Sequence, residues 1–175
     1  SFFEMGASRT GKVQVVGTTF TNDFTLKNLV GNADNAKIKL LVHGRSNNDR
    51  VIEVYVGKTA ATLRLVGTFR NSGFGGSEYS FNLTNADVDD AKKGVLGLKT
   101  VSGESLDRFS LAYHQISYPQ AFDMTGLNAK DFHLKVAKTG LNRIQIKGLP
   151  SKPMLLNVSD TDAPMVINGS GDNYM

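Results

Sequence analysis

The feature that most constrains this fold is a two-residue alternation of apolar and polar side chains along several short segments. Residues 36–43 show it most regularly, with every second residue apolar and Leu41 the single apolar residue in the opposite phase. A β-strand turns successive side chains to opposite faces, whereas a helix repeats every 3.6 residues. The pattern therefore predicts a strand with one buried face.

Similar segments recur along the chain between clusters of turn-forming residues. Residues 44–49 are polar, and residues 70–77 are rich in glycine, which we interpret as a sharp hairpin loop. Many short strands with frequent turns are typical of a sandwich or barrel. The predicted strands are residues 13–16, 20–26, 36–42, 52–56, 61–65, 79–83, 95–101, 109–118, 132–136, 144–146, 154–158 and 165–167.

The segment that begins at Phe109 changes phase in its middle. The side chains of Phe109, Leu111 and Tyr113 share one face of the predicted strand. The side chain of Ile116 falls on the other face. A β-bulge near His114 would restore a single core face, and a strand buried on both sides would also fit the pattern. We favour the bulge.

A single stretch has helical signals. Thr84 is a capping residue, Asp87 follows three positions later, and Gly94 supplies a stop, which predicts a short helix or two loose turns over residues 85–93. The acidic start and lysine-containing end of this stretch suit a helix dipole.

The four prolines all follow Tyr118, which suggests a boundary between residues 118 and 119. We predict an all-β protein, with residues 1–118 forming an antiparallel, galactose-binding-like β-sandwich of jelly-roll type. Residues 119–175 are predicted to form a small β extension packed on it.

Composition excludes several classes of function. The chain has no cysteine, which removes thiol nucleophiles and thiolate metal sites. Its net charge of +4 comes from scattered basic residues, so no nucleic-acid partner is expected. It has no run of about 18 apolar residues, so no direct membrane insertion is expected. The chain begins with Ser1 and not with a start methionine, and its first residues do not form a signal peptide. We therefore expect a processed or excised piece of a longer protein.

Acidic residues offer two interpretations. Asp87, Asp89 and Asp90 have oxygens that Ca²⁺ prefers, but the spacing lacks the glycine turn and terminal glutamate of an EF-hand. A solvated, dipole-favoured helix start explains them without a metal. The same alternatives apply to Asp160 and Asp162. We predict no cofactor and no metal.

The three histidines, His43, His114 and His133, have no metal-ligand spacing, and we interpret them as imidazoles on sheet faces. No catalytic residue set is recognisable, so the chain is predicted not to be an enzyme. The candidate ligand contacts are Arg70 and Phe74 on the glycine-rich loop, with Tyr79 at its exit; packing of Phe74 on the sandwich edge is the alternative.

Residues 106–119, LDRFSLAYHQISYP, resemble the segment upstream of the catalytic domain in gingipain-type cysteine peptidases. That family includes the sortase-like component of the Bacteroidetes type IX secretion system. Gln120 stands where the family's pattern has arginine. Residues 36–56 are similar to paired strands of the jelly roll in such proteins, and residues 155–164 to the acidic, proline-terminated turn before the peptidase domain.

This resemblance covers residues 36–168 and implies an accessory domain of an exported protein, with the catalytic His and Cys in a later domain. No functional residue carries over. The first hypothesis is therefore a secreted or cell-surface accessory domain that positions or shields a neighbouring domain of the same parent chain. The absence of an exposed aromatic platform from the predicted strands favours it. The alternative is a carbohydrate-binding module with a glycan partner, and an independent enzyme or an appendage subunit are further alternatives.

Overall fold

The computed structural model describes residues 10–101, 106–132, 144–150 and 153–167, and the backbone of residues 169–170 and 173–174. The chain divides into two compact units, Ser1–Ala121 and Phe122–Met175. None of the helical segments that the structure describes has the length and hydropathy needed to cross a membrane.

Short strands joined by turns make up both units. Those of the first unit are β1 (Phe20–Thr25), β2 (Lys37–Gly44), β3 (Arg50–Gly57), β4 (Arg64–Asn71), β5 (Gly76–Asn82), β6 (Lys93–Thr100) and β7 (Phe109–Ser117). Two 3-10 turns, Ala33–Asn35 and Asn85–Asp87, lie between them. Those of the second unit are β8 (Leu155–Asn157), β9 (Met165–Ile167), β10 (Gly169–Ser170) and β11 (Asn173–Tyr174).

The first unit is a sandwich of two antiparallel sheets. One sheet has the strand order β1-β6-β3-β4 and the other has the order β5-β2-β7. Strands β2 to β5 form one long ribbon, in which β3 pairs with β4 in one sheet and β2 pairs with β5 in the other. A ribbon wrapped across both sheets is the wrapping of a jelly roll. The predicted all-β, antiparallel jelly-roll sandwich is confirmed. In the second unit, β8 pairs with β9 and β10 with β11.

The core lies between the two sheets and is built by the alternation seen in the sequence. In β2 and β3, every second side chain is fully buried, and the residues between them face outward. Burying a side chain of this kind contributes about 1.5–3 kcal/mol. The residues of these strands with 0% exposure are Ile38, Leu40, Val42, Ile52, Val54 and Val56.

Several predicted strands are displaced or absent. β4 begins at Arg64 because residues 59–62 close a turn, in which the Thr62 amide donates to the Thr59 carbonyl at 3.1 Å. β5 begins already at Gly76, and its connection from β4 passes from one sheet to the other. The predicted loop is therefore present over residues 72–75, but its interpretation as a hairpin is wrong, because the strands it joins lie in different sheets.

Two other predicted strands are not formed. Residues 13–16 contribute a single bridge, between Gln14 and Phe109, and residues 144–146 form no strand. The chain instead makes one bridge beside them, between Asp123 and Lys147. The predicted strand over residues 132–136 lies outside the described residues from residue 133 onward.

The predicted bulge is present in β7, two residues before His114. Leu41 of β2 lies opposite Tyr113, whereas the next residue of β2 lies opposite Leu111, so Ala112 is the extra residue. The bulge reverses the phase of everything that follows it. His114 therefore turns inward beside the core, and Tyr113 turns outward.

The helical signals after β5 produce two loose turns, the second of the predicted alternatives. The first turn, Asn85–Asp87, has the predicted capping box, in which the Thr84 amide donates to the Asp87 carboxylate at 2.7 Å. Arg64 of β4 holds the same carboxylate by two hydrogen bonds of 2.6 Å. Burial alone would raise the pKa of Asp87, but Arg64 and Thr84 outweigh it and hold the pKa below its ordinary value.

A buried arginine joins the two connections at which the ribbon passes from one sheet to the other, between β2 and β3 and between β4 and β5. Arg50 is 2% exposed and donates to the carbonyls of Ser46 and Gly73, both at 2.8 Å, and to the side chain of Asn71. Asn71 in turn donates to the Gly75 carbonyl at 2.8 Å. Because residues 44–50 join β2 to β3 and residues 71–76 join β4 to β5, these contacts fix one corner of the sandwich.

Close approach at this corner requires a glycine. A Cβ atom on Gly44 would lie 1.8 Å from the Gly73 carbonyl oxygen. Burial lowers the pKa of Arg50, and the fully buried carboxylate of Asp107 opposes that shift. The Nη atoms of the guanidinium are hydrogen-bonded and Asp107 adds a nearby negative charge, whereas Arg50 Nε and both oxygens of Asp107 have no hydrogen-bond partner among the described residues.

Replacing Arg50 tests the corner. We expect Arg50→Met to lower the free energy of unfolding by about 3–5 kcal/mol, because the buried carbonyls at Ser46 and Gly73 would lose their donor. Arg70→Ala is the matched control, since its side chain is exposed and should change stability by less than about 0.5 kcal/mol. Urea unfolding measures both, and an Arg50→Met variant within about 1 kcal/mol of wild type contradicts the account.

The Asp87 carboxylate predicts acid sensitivity. A carboxyl whose pKa is depressed by folding stabilises above its unfolded pKa, about 3.9, and that contribution is lost as the pH falls through the folded value. Asp87→Asn should therefore be less stable than wild type at pH 7, and the gap should narrow below about pH 4. Asp90→Asn serves as the exposed control. A gap that stays constant down to pH 3 in urea unfolding would refute this role.

Candidate ligand-binding face

The outer face of the three-stranded sheet carries three ordered rows of side chains. Each row takes one residue from β7, one from the central strand β2 and one from β5. At ordinary strand spacings the rows span about 10 Å across the strands and about 13 Å along them. We call this surface the Tyr113 face. Its first row is Tyr113, Leu41 and Glu78, its second row is Gln115, Lys39 and Ser80, and its third row is Ser117, Lys37 and Asn82.

The Tyr113 side chain lies across the sheet. Its hydroxyl donates to Glu78 Oε1 at 2.9 Å, although the two residues belong to β7 and β5, which flank β2. Leu41 of β2 is the residue opposite both of them, so the phenol must pass over Leu41 to reach the carboxylate. The residue is 39% exposed, so part of the ring is open to solvent.

Glu78 holds this arrangement electrostatically. Lys39 Nζ lies 2.7 Å from the same Oε1 atom. Hydrogen bonds from Lys39 and then Tyr113 lower the pKa of Glu78, and the contact with Glu78 raises the pKa of Lys39. Both groups are therefore charged across the neutral range, and the second carboxylate oxygen and the lysine remain at the surface as acceptor and donor.

This set of groups suits a ligand that has both apolar and hydroxyl surfaces. An aromatic face is electron-rich and attracts C–H groups, as on the flat side of a sugar ring. The amide of Gln115, the ammonium of Lys39 and the carboxylate of Glu78 lie around the ring and can bond hydroxyls in either direction. Among the residues that the structure describes, no three His, Asp or Glu side chains are grouped as a metal site.

The three ligand contacts predicted from sequence lie in different settings. Arg70 is exposed and lies opposite Val51 at the outer edge of the four-stranded sheet. Phe74 is 67% exposed in the turn between β4 and β5. Tyr79 points between the sheets, where its ring stacks on that of Phe69 at 5.3 Å. The side chains of Arg70 and Tyr79 therefore do not share a face, and binding by this set stays a prediction.

The other predicted polar residues are equally dispersed. His43 lies on the outer side of β2, in line with its interpretation as an imidazole on a sheet face. His114 faces inward, and burial lowers its pKa, so it is neutral at pH 7. His133 lies outside the described residues. The Asp87 oxygens are engaged by Arg64 and Thr84, and Asp89 accepts from the Lys93 amide at 2.8 Å.

Sequence reasoning missed the Tyr113 face because of the position of the bulge. A bulge near His114 would leave Tyr113 on the same side as Leu111, inside the sandwich. With the extra residue at Ala112, the tyrosine moves to the outer face, and the expectation of no exposed aromatic platform is wrong at this position. The phase change in the sequence was the signal, but it does not specify which residue is unpaired.

No protein-family model matches the chain, and no curated protein matches it. A solved structure of a carbohydrate-binding module, CBM36, in complex with calcium and xylotriose is similar with a TM-score of 0.39 and 10% identity, over 63% of this chain and 94% of that chain. A family 16 carbohydrate-binding module-2 is similar with a TM-score of 0.32 and 10% identity, over 60% and 74%. At these scores neither likeness bears on what this chain binds.

The hydrogen bond that holds Tyr113 can be tested directly. Tyr113→Phe removes the donor, so we expect the pKa of Glu78 to rise toward its ordinary value. An NMR titration of the Glu78 side-chain carboxyl measures this change. Tyr118→Phe is the control, because that hydroxyl donates to the Lys27 carbonyl at 3.2 Å and not to Glu78. An unchanged Glu78 pKa in Tyr113→Phe would show that the ring does not cross the sheet.

Proposed function

We propose that the first unit is a non-catalytic glycan-binding domain and that the Tyr113 face is its binding surface. The observation that carries the proposal is the hydrogen bond from Tyr113 to Glu78 across Leu41, which holds a partly exposed aromatic ring on the outer face of the sheet. A sugar ring stacks on the aromatic face, and its hydroxyls bond the polar groups in the neighbouring rows.

The chemistry of the face favours a glycan over other partners. Protein interfaces have an apolar centre, whereas this face has two apolar side chains, Leu41 and Tyr113, among polar ones. Nucleic-acid surfaces are strongly basic, and here Glu78 neutralises Lys39. A flat, hydroxyl-rich ligand matches both the ring and the dense donors and acceptors.

Binding without catalysis fits the acid content of the face. Glycoside hydrolysis usually needs a pair of carboxyl groups flanking the scissile bond, about 5–9.5 Å apart. Glu78 is the one carboxylate in the three rows, and its depressed pKa makes it a poor general acid. A domain that binds glycans in this way would work in a secreted protein or at the outer surface of a cell.

The second unit favours a further candidate role, that of an accessory domain packed against a neighbouring domain. β8 and β9 form a hairpin with large apolar side chains exposed on it, including the facing pair Leu156 and Val166. Contiguous exposed apolar surface marks interaction sites. Kinship with the peptidase-associated region stays a proposal, which a His and Cys pair encoded downstream of Met175 would support.

Truncating the ring tests the proposed function. We expect one or more soluble polysaccharides among xylan, mixed-linkage β-glucan, galactomannan and pullulan to retard the wild-type protein in affinity electrophoresis. For the one that does, Tyr113→Ala should weaken binding about tenfold or more by calorimetry, and Tyr113→Phe should retain most of the affinity because it keeps the ring.

Phe74→Ala is the matched control, since Phe74 is an exposed aromatic residue from the loop predicted to bind ligand. It should bind as wild type does. Loss of binding in Phe74→Ala with full binding in Tyr113→Ala would assign the site to the loop and contradict the proposal. Absence of binding to every polysaccharide tested would contradict it as well.

A further inference from the structure

The other sheet carries a small pocket on its outer face. It has a volume of about 190 Å³ and is lined by Thr19, Tyr55, Leu63 and Lys99. Pockets for drug-sized ligands measure about 300–1,000 Å³, so this one suits a single ring with its substituents. Because Tyr55 belongs to β3 and Lys99 to β6, the pocket lies over the two central strands of the sheet.

A glycine lets the side chains that line this pocket pack closely on β6. Gly97 of β6 lies opposite Tyr55, and a Cβ atom placed on it would lie 2.9 Å from Leu63 Cδ1, 3.2 Å from Tyr55 Cβ and 3.5 Å from Thr19 Cγ2. Three of the lining residues therefore fill the space that a side chain at position 97 would take, and Gly97 itself is buried.

The Tyr55 ring forms a fixed wall. Its hydroxyl donates to Glu53 Oε2 at 2.5 Å, and the two residues are outward neighbours on β3. That bond, more than burial, raises the pKa of Tyr55, so the phenol stays neutral. The bond holds the ring along the strand, where it forms one side of the pocket.

Lys99 supplies an available positive charge. It lies opposite Glu53 across β3 and β6, but the Glu53 carboxylate is engaged by Tyr55. In the part of the chain that the structure describes, the ion pairs are Lys39 with Glu78 and Arg64 with Asp87, and Lys99 belongs to neither. An ammonium beside an aromatic wall and the Thr19 hydroxyl favours a carboxylate on a ring-shaped ligand.

We infer that this pocket is a second ligand site, specific for a carboxylated sugar such as a uronic acid residue. The pyranose ring packs on Tyr55 and Leu63, the carboxylate pairs with Lys99, and a hydroxyl bonds Thr19. The site is on the four-stranded sheet and does not depend on the Tyr113 face, so either site can be present without the other.

Three probes of related size separate charge from shape. Trigalacturonate should perturb the amide signals of Gly97 and Lys99 in a two-dimensional NMR titration, maltotriose should do so about tenfold more weakly, and acetate should require far higher concentrations. Binding of trigalacturonate should weaken as salt increases, because the lysine is solvent-accessible. Equal affinity for maltotriose, or equal affinity for acetate, overturns the proposal.

Two variants test the residues. Lys99→Gln should weaken trigalacturonate binding about tenfold. Gly97→Ala should also weaken it, because the added methyl group would push the flexible end of Leu63 into the pocket. Lys93→Gln, a lysine at the start of the same strand and outside the pocket lining, should bind as wild type. Tyr113→Ala should also bind trigalacturonate normally, which distinguishes this site from the first. If a folded Lys99→Gln variant binds trigalacturonate with wild-type affinity, the inference is contradicted.

Discussion

Both the core and the candidate binding face depend on the alternation of side chains along β2. This strand lies between β5 and β7, so it is fixed on both edges by backbone hydrogen bonds. Its inward residues are fully buried, and a shift of one residue would expose them all. The same register places Leu41 between Tyr113 and Glu78. The register that buries the core therefore also builds the surface on which the tyrosine lies.

The Arg50 corner keeps that register in place at one end of the sandwich. Its guanidinium binds carbonyls from both crossings of the ribbon, so β2 and β3 cannot slide without breaking contacts with β4 and β5. Removing one partner from a buried network of charges and hydrogen bonds costs free energy. The corner therefore favours this strand register over shifted ones. A rigid sheet gives surface side chains fixed positions, and fixed positions reduce the entropy lost on binding.

The architecture followed from sequence where one face of a strand is buried. β2 and β3 were placed within two residues because their alternation reports burial directly. β4 was misplaced because its outward and inward residues differ little in polarity, and the turn through Thr59 and Thr62 decides where it starts. The capping box at Thr84 was read correctly, since its residues interact locally.

The candidate faces were beyond sequence reasoning for a different reason. Tyr113 and Glu78 are 35 positions apart, and only the pairing of both strands with β2 brings them together. The bulge at Ala112 then decides which side of the sheet the tyrosine takes. The pocket beside Gly97 likewise depends on β6 lying next to β3, a neighbour relation that alternation alone does not specify.

The central claim is that glycans bind on the flat outer surface of the three-stranded sheet. The most direct measurement is a crystal structure of the protein with an oligosaccharide fragment of whichever polysaccharide it retains. The account predicts a sugar ring stacked on the solvent side of Tyr113, with hydroxyls bonded to Glu78 and Gln115. A sugar bound at the Phe74 turn, with the Tyr113 ring uncovered, would contradict it.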